Sequence, residues 1–145
     1  MTTPQIRRLQ AAVIDGRAHN VFFRQTQLER LYKGLLAKEG VLREAMVSDV
    51  KYTPSEAIAI LHVSLKAVRD AYTSLQPPDV QDREYRIANN KDAPDNLVPF
   101  GLVYIEPESH TLLYSVCSAL SSAIAAGNCV ALLVSLLNPR CSDGS

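Results

Sequence analysis

The chain has no tryptophan, only six glycines and three cysteines in 145 residues, and no excess of charge of either sign. Fifteen Lys and Arg balance fifteen Asp and Glu, a net charge of zero. A nucleic-acid-binding domain usually displays a basic excess or stripe. The nearest approach here is Arg7-Arg8, which reads as part of a solvated helix face, so nucleic acid is excluded as a partner. Cys117, Cys129 and Cys141 form no close pair and no metal-ligand spacing. That excludes a disulfide framework and a zinc module, and it fits a reducing, cytoplasmic setting. His19, His62 and His110 are scattered and share no metal motif; His62, between Leu61 and Val63, reads as a partly buried or interfacial structural histidine. The opening segment MTTPQIRRLQ lacks the apolar core of a secretory signal. There is no Gly-x-Gly-x-x-Gly loop for a conventional dinucleotide site, no Gly-x-Ser-x-Gly turn, and no internal repeat.

One long apolar run is present. No charged residue occurs from Leu112 to Leu137, long enough to span a bilayer. Gly127-Asn128 interrupts the run, and Ser115, Ser118, Ser121 and Ser122 dilute its first half. A buried helix followed by a buried strand explains it better than a membrane span. At 47% hydrophobic and 21% charged residues, the composition is that of a globular chain able to bury a core.

The first half reads as helical. Ile6, Leu9 and Val13 give a short apolar face that Gly16 can close. A second helix runs from about Val21 to Ala37. Leu28, Leu31, Tyr32 and Leu35 point inward, Arg24, Glu29, Arg30 and Lys33 outward, and Glu29 and Lys33 stand four apart in the favourable order. A third helix covers about Glu39–Asp49, with Leu42, Ala45 and Met46 inward. Thr53-Pro54-Ser55-Glu56 is the clearest start signal, a capping box with proline in the first turn. The helix it opens reaches about Leu75, with Ile58, Leu61, Leu65 and Val68 on one face, and Pro77-Pro78 ends it. Residues 77–95 are polar, with an extended piece at Tyr85–Ala88 and a turn at Asn89–Asp92. Leu97–Ile105 reads as strand, Thr111–Ala126 as helix capped by Ser109, and Cys129–Leu137 as a buried strand. Strand, helix and strand in this order predict a parallel crossover.

Read in order, these motifs resemble the N-terminal portion of the NAD(P)-dependent aldehyde dehydrogenase superfamily. The resemblance rests on Arg24 followed by Gln27-Leu28 and Leu31, on Ala45 and Asp49, on Glu56 and the helix behind it, on Pro99, Gly101, Leu102 and Val103, and on the Ala-Ile-Ala-Ala-Gly-Asn stretch at 123–128. It covers roughly residues 10–135. It implies an α/β fold: N-terminal helices, then an incomplete Rossmann-like strand-helix-strand unit. Residues 1–137 would be a partial cofactor-binding domain and 138–145 a tail.

The resemblance also implies a family reaction, oxidation of an aldehyde to a carboxylic acid with NAD or NADP. The family's Pro-Trp-Asn, whose asparagine helps hold the oxyanion, falls on Glu108, Ser109 and His110. A donor there can stabilise developing charge, but His110 reads first as a solvent-facing histidine at a helix start. The family's Lys-Pro-Ser-Glu falls on Leu133, Val134, Ser135 and Leu136, so only the serine persists. Ile105 and Ser135 are the cofactor-binding positions carried over, and binding by leucine in place of lysine is expected to be weak. No cysteine matches the nucleophile motif, so no catalytic residue is assigned. The expectation is a truncated aldehyde dehydrogenase-like protein, inactive alone. The alternative is a non-catalytic module that docks on a full-length relative or another protein, or forms a homo-oligomer, through an exposed C-terminal strand.

Overall fold

A computed structural model describes residues 3–92, 98–107 and 110–133. Among the described residues six α-helices and two strands follow one another: α1 (Thr3–Ile14), a short 3₁₀ turn at Arg17–His19, α2 (Val21–Ala37), α3 (Glu39–Asp49), α4 (Pro54–Ser74), α5 (Pro77–Glu84), β1 (Leu102–Ile105), α6 (Leu112–Ala125) and β2 (Cys129–Leu132). The protein is therefore mostly helical, with one small parallel sheet. β1 pairs with β2 in register Leu102 to Cys129 and Ile105 to Leu132. Among the described residues no helix is long and apolar enough to cross a membrane. The uncharged run from Leu112 resolves into α6, a glycine stop and β2.

Local chemistry explains where the helices begin and end. The Thr53 hydroxyl accepts from the Glu56 amide, and the Glu56 carboxylate takes the Thr53 amide at 2.8 Å, completing the anticipated capping box of α4. Donation to the carboxylate, by the Thr53 backbone amide first and then by the Thr53 hydroxyl, holds the Glu56 carboxyl below its usual range. Asn20 caps α2 by accepting from the amides of Phe22 and Phe23. Glu29 and Lys33 make the expected surface pair at 2.6 Å. α6 ends in a Schellman motif. The Asn128 amide reaches back to the Ala123 carbonyl and the Gly127 amide to that of Ile124.

Two adjoining clusters form the core. One gathers Val21 and Leu28 from α2, Val68 from α4, the following Leu75, and Cys117 from α6. The other gathers Met46, Ala57 and Leu61 from α3 and α4. Leu113 packs against both. The most extensive helix-to-helix contact joins α4 and α6. Small residues, Ala57 and Ser64 on α4 and Ser121 on α6, are fully buried on these two helices. They let helix backbones approach closely without large side chains interposed.

Several details differ from the sequence reading. Arg24, expected on the wet face, is buried at 8% exposure. Its position follows from spacing: Val21, Arg24 and Leu28 form one stripe at i, i+3 and i+7. Ile58 is exposed rather than inward, because the buried stripe of α4 is Ala57, Leu61, Ser64 and Val68, and Ala45 is exposed on α3, where Met46 is the buried residue. His62 is exposed rather than partly buried. Residues 77–84 are helical, not merely polar loop. Pro77 and Pro78 occupy the first turn, where a missing N–H costs nothing, and Val80 packs onto the first core cluster. Tyr85–Ala88 is turn, not an extended piece: the Asn89 amide bonds the Tyr85 carbonyl. β1 begins at Leu102, since Gly101 at φ near 100° breaks the extended run before it, and Leu97, the expected start, lies outside the described residues. The remainder of the anticipated strand from Cys129 to Leu137, beyond Leu133, lies outside the described residues, as do Ser109 and the tail.

Candidate functional site

The ends of the two strands and the two ends of α6 bring together the residues singled out by sequence. At the lower end they form a joint. The Asn128 side chain is buried and bonds in two directions: its Oδ1 accepts from the Gly101 amide at 3.0 Å, and its Nδ2 donates to the Ala123 carbonyl at 3.4 Å. The Cys129 amide then donates to the Gly101 carbonyl at 2.7 Å and starts the ladder. One asparagine thus ties the end of α6 to the entry of β1. Gly127, at φ near 84°, lies so close to its surroundings that a Cβ would stand 2.9 Å from Pro99 Cγ and 3.3 Å from the Ala18 carbonyl oxygen. Pro99, Gly101, Gly127 and Asn128 are therefore parts of one structural lock, in which the amide and carbonyl of Gly101, the amide of Gly127 and the amide and side chain of Asn128 bond within the chain.

Arg24 reinforces that lock from the first turn of α2. Its guanidinium donates to the Ala125 carbonyl at 2.9 Å and to the His19 carbonyl at 2.7 Å. The first of these belongs to the last turn of α6, where unsatisfied carbonyls and the negative end of the helix dipole favour a cation. One residue on, Gln25 donates to the Leu75 carbonyl at 2.8 Å, just past α4. Adjacent side chains of α2 thereby hold the C-terminal ends of the two helices that pack most extensively. The arginine was legible as a motif element, but its role was not, because a lone arginine in an amphipathic helix usually faces water.

The upper end is where the resemblance would place cofactor and oxyanion. Ile105 is buried, and its carbonyl accepts from the Leu133 amide at 2.9 Å, so the ladder continues one step past β2. The resemblance sets the apolar Leu133 at the place of the family lysine, and Ser135 lies outside the described residues. His110 is exposed; its backbone carbonyl accepts from the Tyr52 hydroxyl. Tyr52 itself packs on the second core cluster, so this contact joins the entry of α6 to the region of α3 and α4. Thr111 precedes α6 without a side-chain cap.

The thiols show the same inward use. Burial pushes the Cys117 thiol up to about 11 and also raises that of Cys129. A neutral thiol is a poor nucleophile and a poor metal ligand. Among the described residues no group of three His, Cys, Asp or Glu side chains could hold a metal ion. An open groove of about 340 Å³ lies elsewhere, walled by Tyr32, Leu36, Ile58, His62 and Arg69. It is built from α2, α4 and the start of α3 and includes no residue of either strand.

No protein-family model and no solved structure matches the chain. Over 131 residues it is 30% identical to aldehyde dehydrogenase family 3 member B1 of Bos taurus, a match that takes in 88% of this chain and 28% of that protein. The chain thus spans little more than a quarter of the length of this relative. This similarity is weak, and it points to an aldehyde dehydrogenase-like relationship.

Proposed function

We propose that this chain carries the opening scaffold of an aldehyde dehydrogenase-like cofactor domain and does not itself oxidise aldehydes. The family reaction would be NAD(P)-dependent conversion of an aldehyde to a carboxylic acid. The observation that supports this reading is the internal use of the motif residues. Gly101, Gly127 and Asn128, which carry the resemblance most strongly, hydrogen-bond or pack against their own chain rather than present donors to a ligand. Of the described thiols, Cys117 is buried and un-ionised near neutral pH and Cys129 is shifted the same way, and leucine stands where the family lysine would reach the cofactor ribose.

NAD or NADP would use the upper strand ends, with Ile105 and Ser135 as the positions carried over. Calorimetric titration of the purified chain with NAD and with NADP, alongside an absorbance assay for reduced cofactor with short and long aldehydes, tests the proposal. The expected result is weak or no binding and no turnover. Sustained cofactor-dependent aldehyde oxidation would sink the claim of inactivity. A second reading, docking on a full-length relative, is supported by the two-strand sheet, whose β2 has no neighbour on its outer edge among the described residues. Binding of immobilised chain to purified full-length aldehyde dehydrogenase, measured by interferometry, tests that reading; no binding at high micromolar concentration excludes it.

A further inference from the structure

The groove between α2 and α4 lies apart from the strand ends, and it is not uniform along its length. Ile58, His62, Leu65 and Arg69 recur on α4 at i, i+4, i+7 and i+11, one face of the helix, and all four line it. Tyr32 and Leu36 line it from α2. Leu61 is buried and Leu65 half-buried, while Leu36 and Ile58 are 43% and 45% exposed. From 58 to 69 the helix rises about 16 Å.

The charged side chains sit at the two ends. Gln25, near the start of α2, bonds the Leu75 carbonyl just past the end of α4, so the two helices run antiparallel. Glu39, which follows α2, therefore lies toward Ile58, and Lys66 and Arg69 lie toward the other end. Glu39 pairs with Arg43 at 3.4 Å and Lys66 with Asp70 at 2.6 Å. Among the described residues, Arg69 alone of the three charged lining residues makes no ion pair. The Lys66 pair is solvent-exposed on both sides, and such a pair costs little to open. Lys66 stands three residues before Arg69, a neighbour on the same helix surface.

We propose that this groove binds an amphipathic monocarboxylate, a straight alkyl chain ending in one carboxylate. Its head sits on Arg69 and Lys66, and its tail lies toward Ile58 and Leu36. A planar guanidinium takes a carboxylate through two parallel hydrogen bonds, and the Lys66 ammonium adds a second cation beside it. The tail meets Tyr32, Leu36, Ile58, Leu61 and Leu65. The volume of about 340 Å³ is at the small end of ligand sites, about 300–1,000 Å³. Glu39 at the tail end selects for a single charge, since a second carboxylate there would face a like charge. The unpaired cation is confined to one end, which suits one head group better than the row of polar side chains a docked helix would bring. The proposal rests on α2, α3 and α4 alone, so it stands or falls apart from any cofactor or aldehyde chemistry.

Calorimetric titration of the intact chain with decanoate, kept monomeric in solution, tests it beside 1-decanol, decanedioate and acetate. Decanoate should bind saturably with a Kd under about 1 mM, and acetate, a head without a tail, should not bind. 1-Decanol, a tail without a charge, should bind about 10-fold more weakly than decanoate. Arg69→Gln should weaken decanoate by about the same factor, the scale of a charge-assisted hydrogen bond. Decanedioate should bind several-fold more weakly than decanoate, and Glu39→Gln should narrow that gap. Ile58→Ser should weaken decanoate at least about 3-fold through lost apolar contact. Arg30→Gln, which removes an exposed cation of α2 outside the groove, should leave the affinity unchanged. Circular dichroism checks that each variant keeps the parent fold, and amide NMR shifts on adding decanoate should map to 58–69 and the second half of α2. Absence of saturable binding overturns the proposal, as do equal affinities for decanoate and 1-decanol or an unchanged affinity in Arg69→Gln. So does an equal loss in Arg30→Gln, which would mark a general charge effect, or shifts spread through both core clusters, which would mark loosening of the fold by an amphiphile.

Discussion

Replacing Gly127 by alanine separates two costs that the structure places on one atom. The backbone at Gly127 has φ near 84°, a region that L-residues with a Cβ adopt only under strain. That strain alone is worth about 1–2 kcal/mol. The added methyl would also stand 2.9 Å from Pro99 Cγ and 3.3 Å from the Ala18 carbonyl oxygen. The proline ring is tied to the backbone, and the carbonyl is backbone itself, so neither yields as the tip of a flexible side chain would. Overpacking of that kind adds roughly 1–3 kcal/mol.

The expected total is about 2–5 kcal/mol, a large part of a typical stability of about 5–15 kcal/mol. Gly16 supplies the internal control. Its φ is near 65°, but its nearest atom to a new Cβ would be His19 Nδ1 at 3.7 Å, an ordinary contact. Gly16→Ala should therefore cost only the strain. Urea denaturation of both variants, followed by far-ultraviolet circular dichroism, measures the difference. Equal losses for Gly16→Ala and Gly127→Ala would refute the claim that the α6 stop is a close three-way joint, and a loss under about 0.5 kcal/mol at Gly127 would refute the strain argument as well.

Arg24→Met should lower stability by about 2–4 kcal/mol, because two charge-assisted hydrogen bonds vanish and leave the carbonyls of Ala125 and His19 without them. Arg24→Lys should recover only part of the loss, since one ammonium has no planar fork to span both carbonyls; a Met variant as stable as the parent in thermal melts would contradict the capping role. Cys117 should resist a thiol reagent at pH 8 until denaturant is added, so Cys117→Ser should leave the fast-labelling amplitude unchanged by mass mapping; rapid native modification of Cys117 would contradict its burial. The same thiol gives an alkaline limb: its folded pKa of about 11 exceeds the ordinary 9.0, so its contribution is complete below pH 9 and is lost as pH rises to 11. The acid limb has the opposite sign. Glu29, held low first by its hydrogen bond to Lys33, and Glu56, held low first by the Thr53 amide, contribute above the ordinary 4.5 and lose that contribution as pH falls below it; urea midpoints that do not fall below pH 4.5, or that fall equally in Glu29→Gln/Glu56→Gln, would contradict this assignment.

The elements most legible from sequence were those whose signal is local. Thr53-Pro54-Ser55-Glu56 contains every group its capping box requires, so no tertiary knowledge was needed. Gly127 and Asn128 likewise mark their own stop. The extents of α2 and α3 follow from residues within a few turns of each other. The misread elements each depended on a distant partner. Arg24 sits on the apolar stripe of α2 by spacing, yet its burial makes sense only once the carbonyls of Ala125 and His19 are beside it. The expected core face of α4 holds at Leu61 and Val68 but fails at its start, where large Ile58 outweighs small Ala57 in the pattern while Ala57 is the buried residue. Small residues win where α4 meets α6, and that crossing is invisible to a one-dimensional pattern. α5 was missed because two prolines signal a helix start as readily as a stop, and only Val80, packing on the first core cluster, decides between them.

The same distinction bears on how the motif residues should be read. A stretch such as Ala-Ile-Ala-Ala-Gly-Asn can persist in a related chain for either of two reasons: its groups meet a ligand, or its groups hold the fold. Here the amide, carbonyl and side chain of the joint are accounted for internally. Gly101 receives Asn128 at its amide and Cys129 at its carbonyl, and Gly127 leaves no room for a side chain. Positions facing the upper strand ends carry a different set, with buried Ile105, apolar Leu133 and exposed His110. If likeness to an aldehyde dehydrogenase were held in place by cofactor contact, the upper positions should match the family better than the joint. By the resemblance read from the sequence the order is reversed: the joint carries the family's motif and the lysine position does not. The resemblance is therefore strongest where folding requires it. That predicts a separable outcome: Asn128→Ala should collapse the joint and lower stability by about 1–3 kcal/mol, by stranding the buried Gly101 amide, while Leu133→Lys should be the substitution that brings cofactor affinity up. Parallel melts and NAD titrations of the two variants decide it, and a Leu133→Lys protein with no gain in NAD binding would place the cofactor deficit beyond this strand.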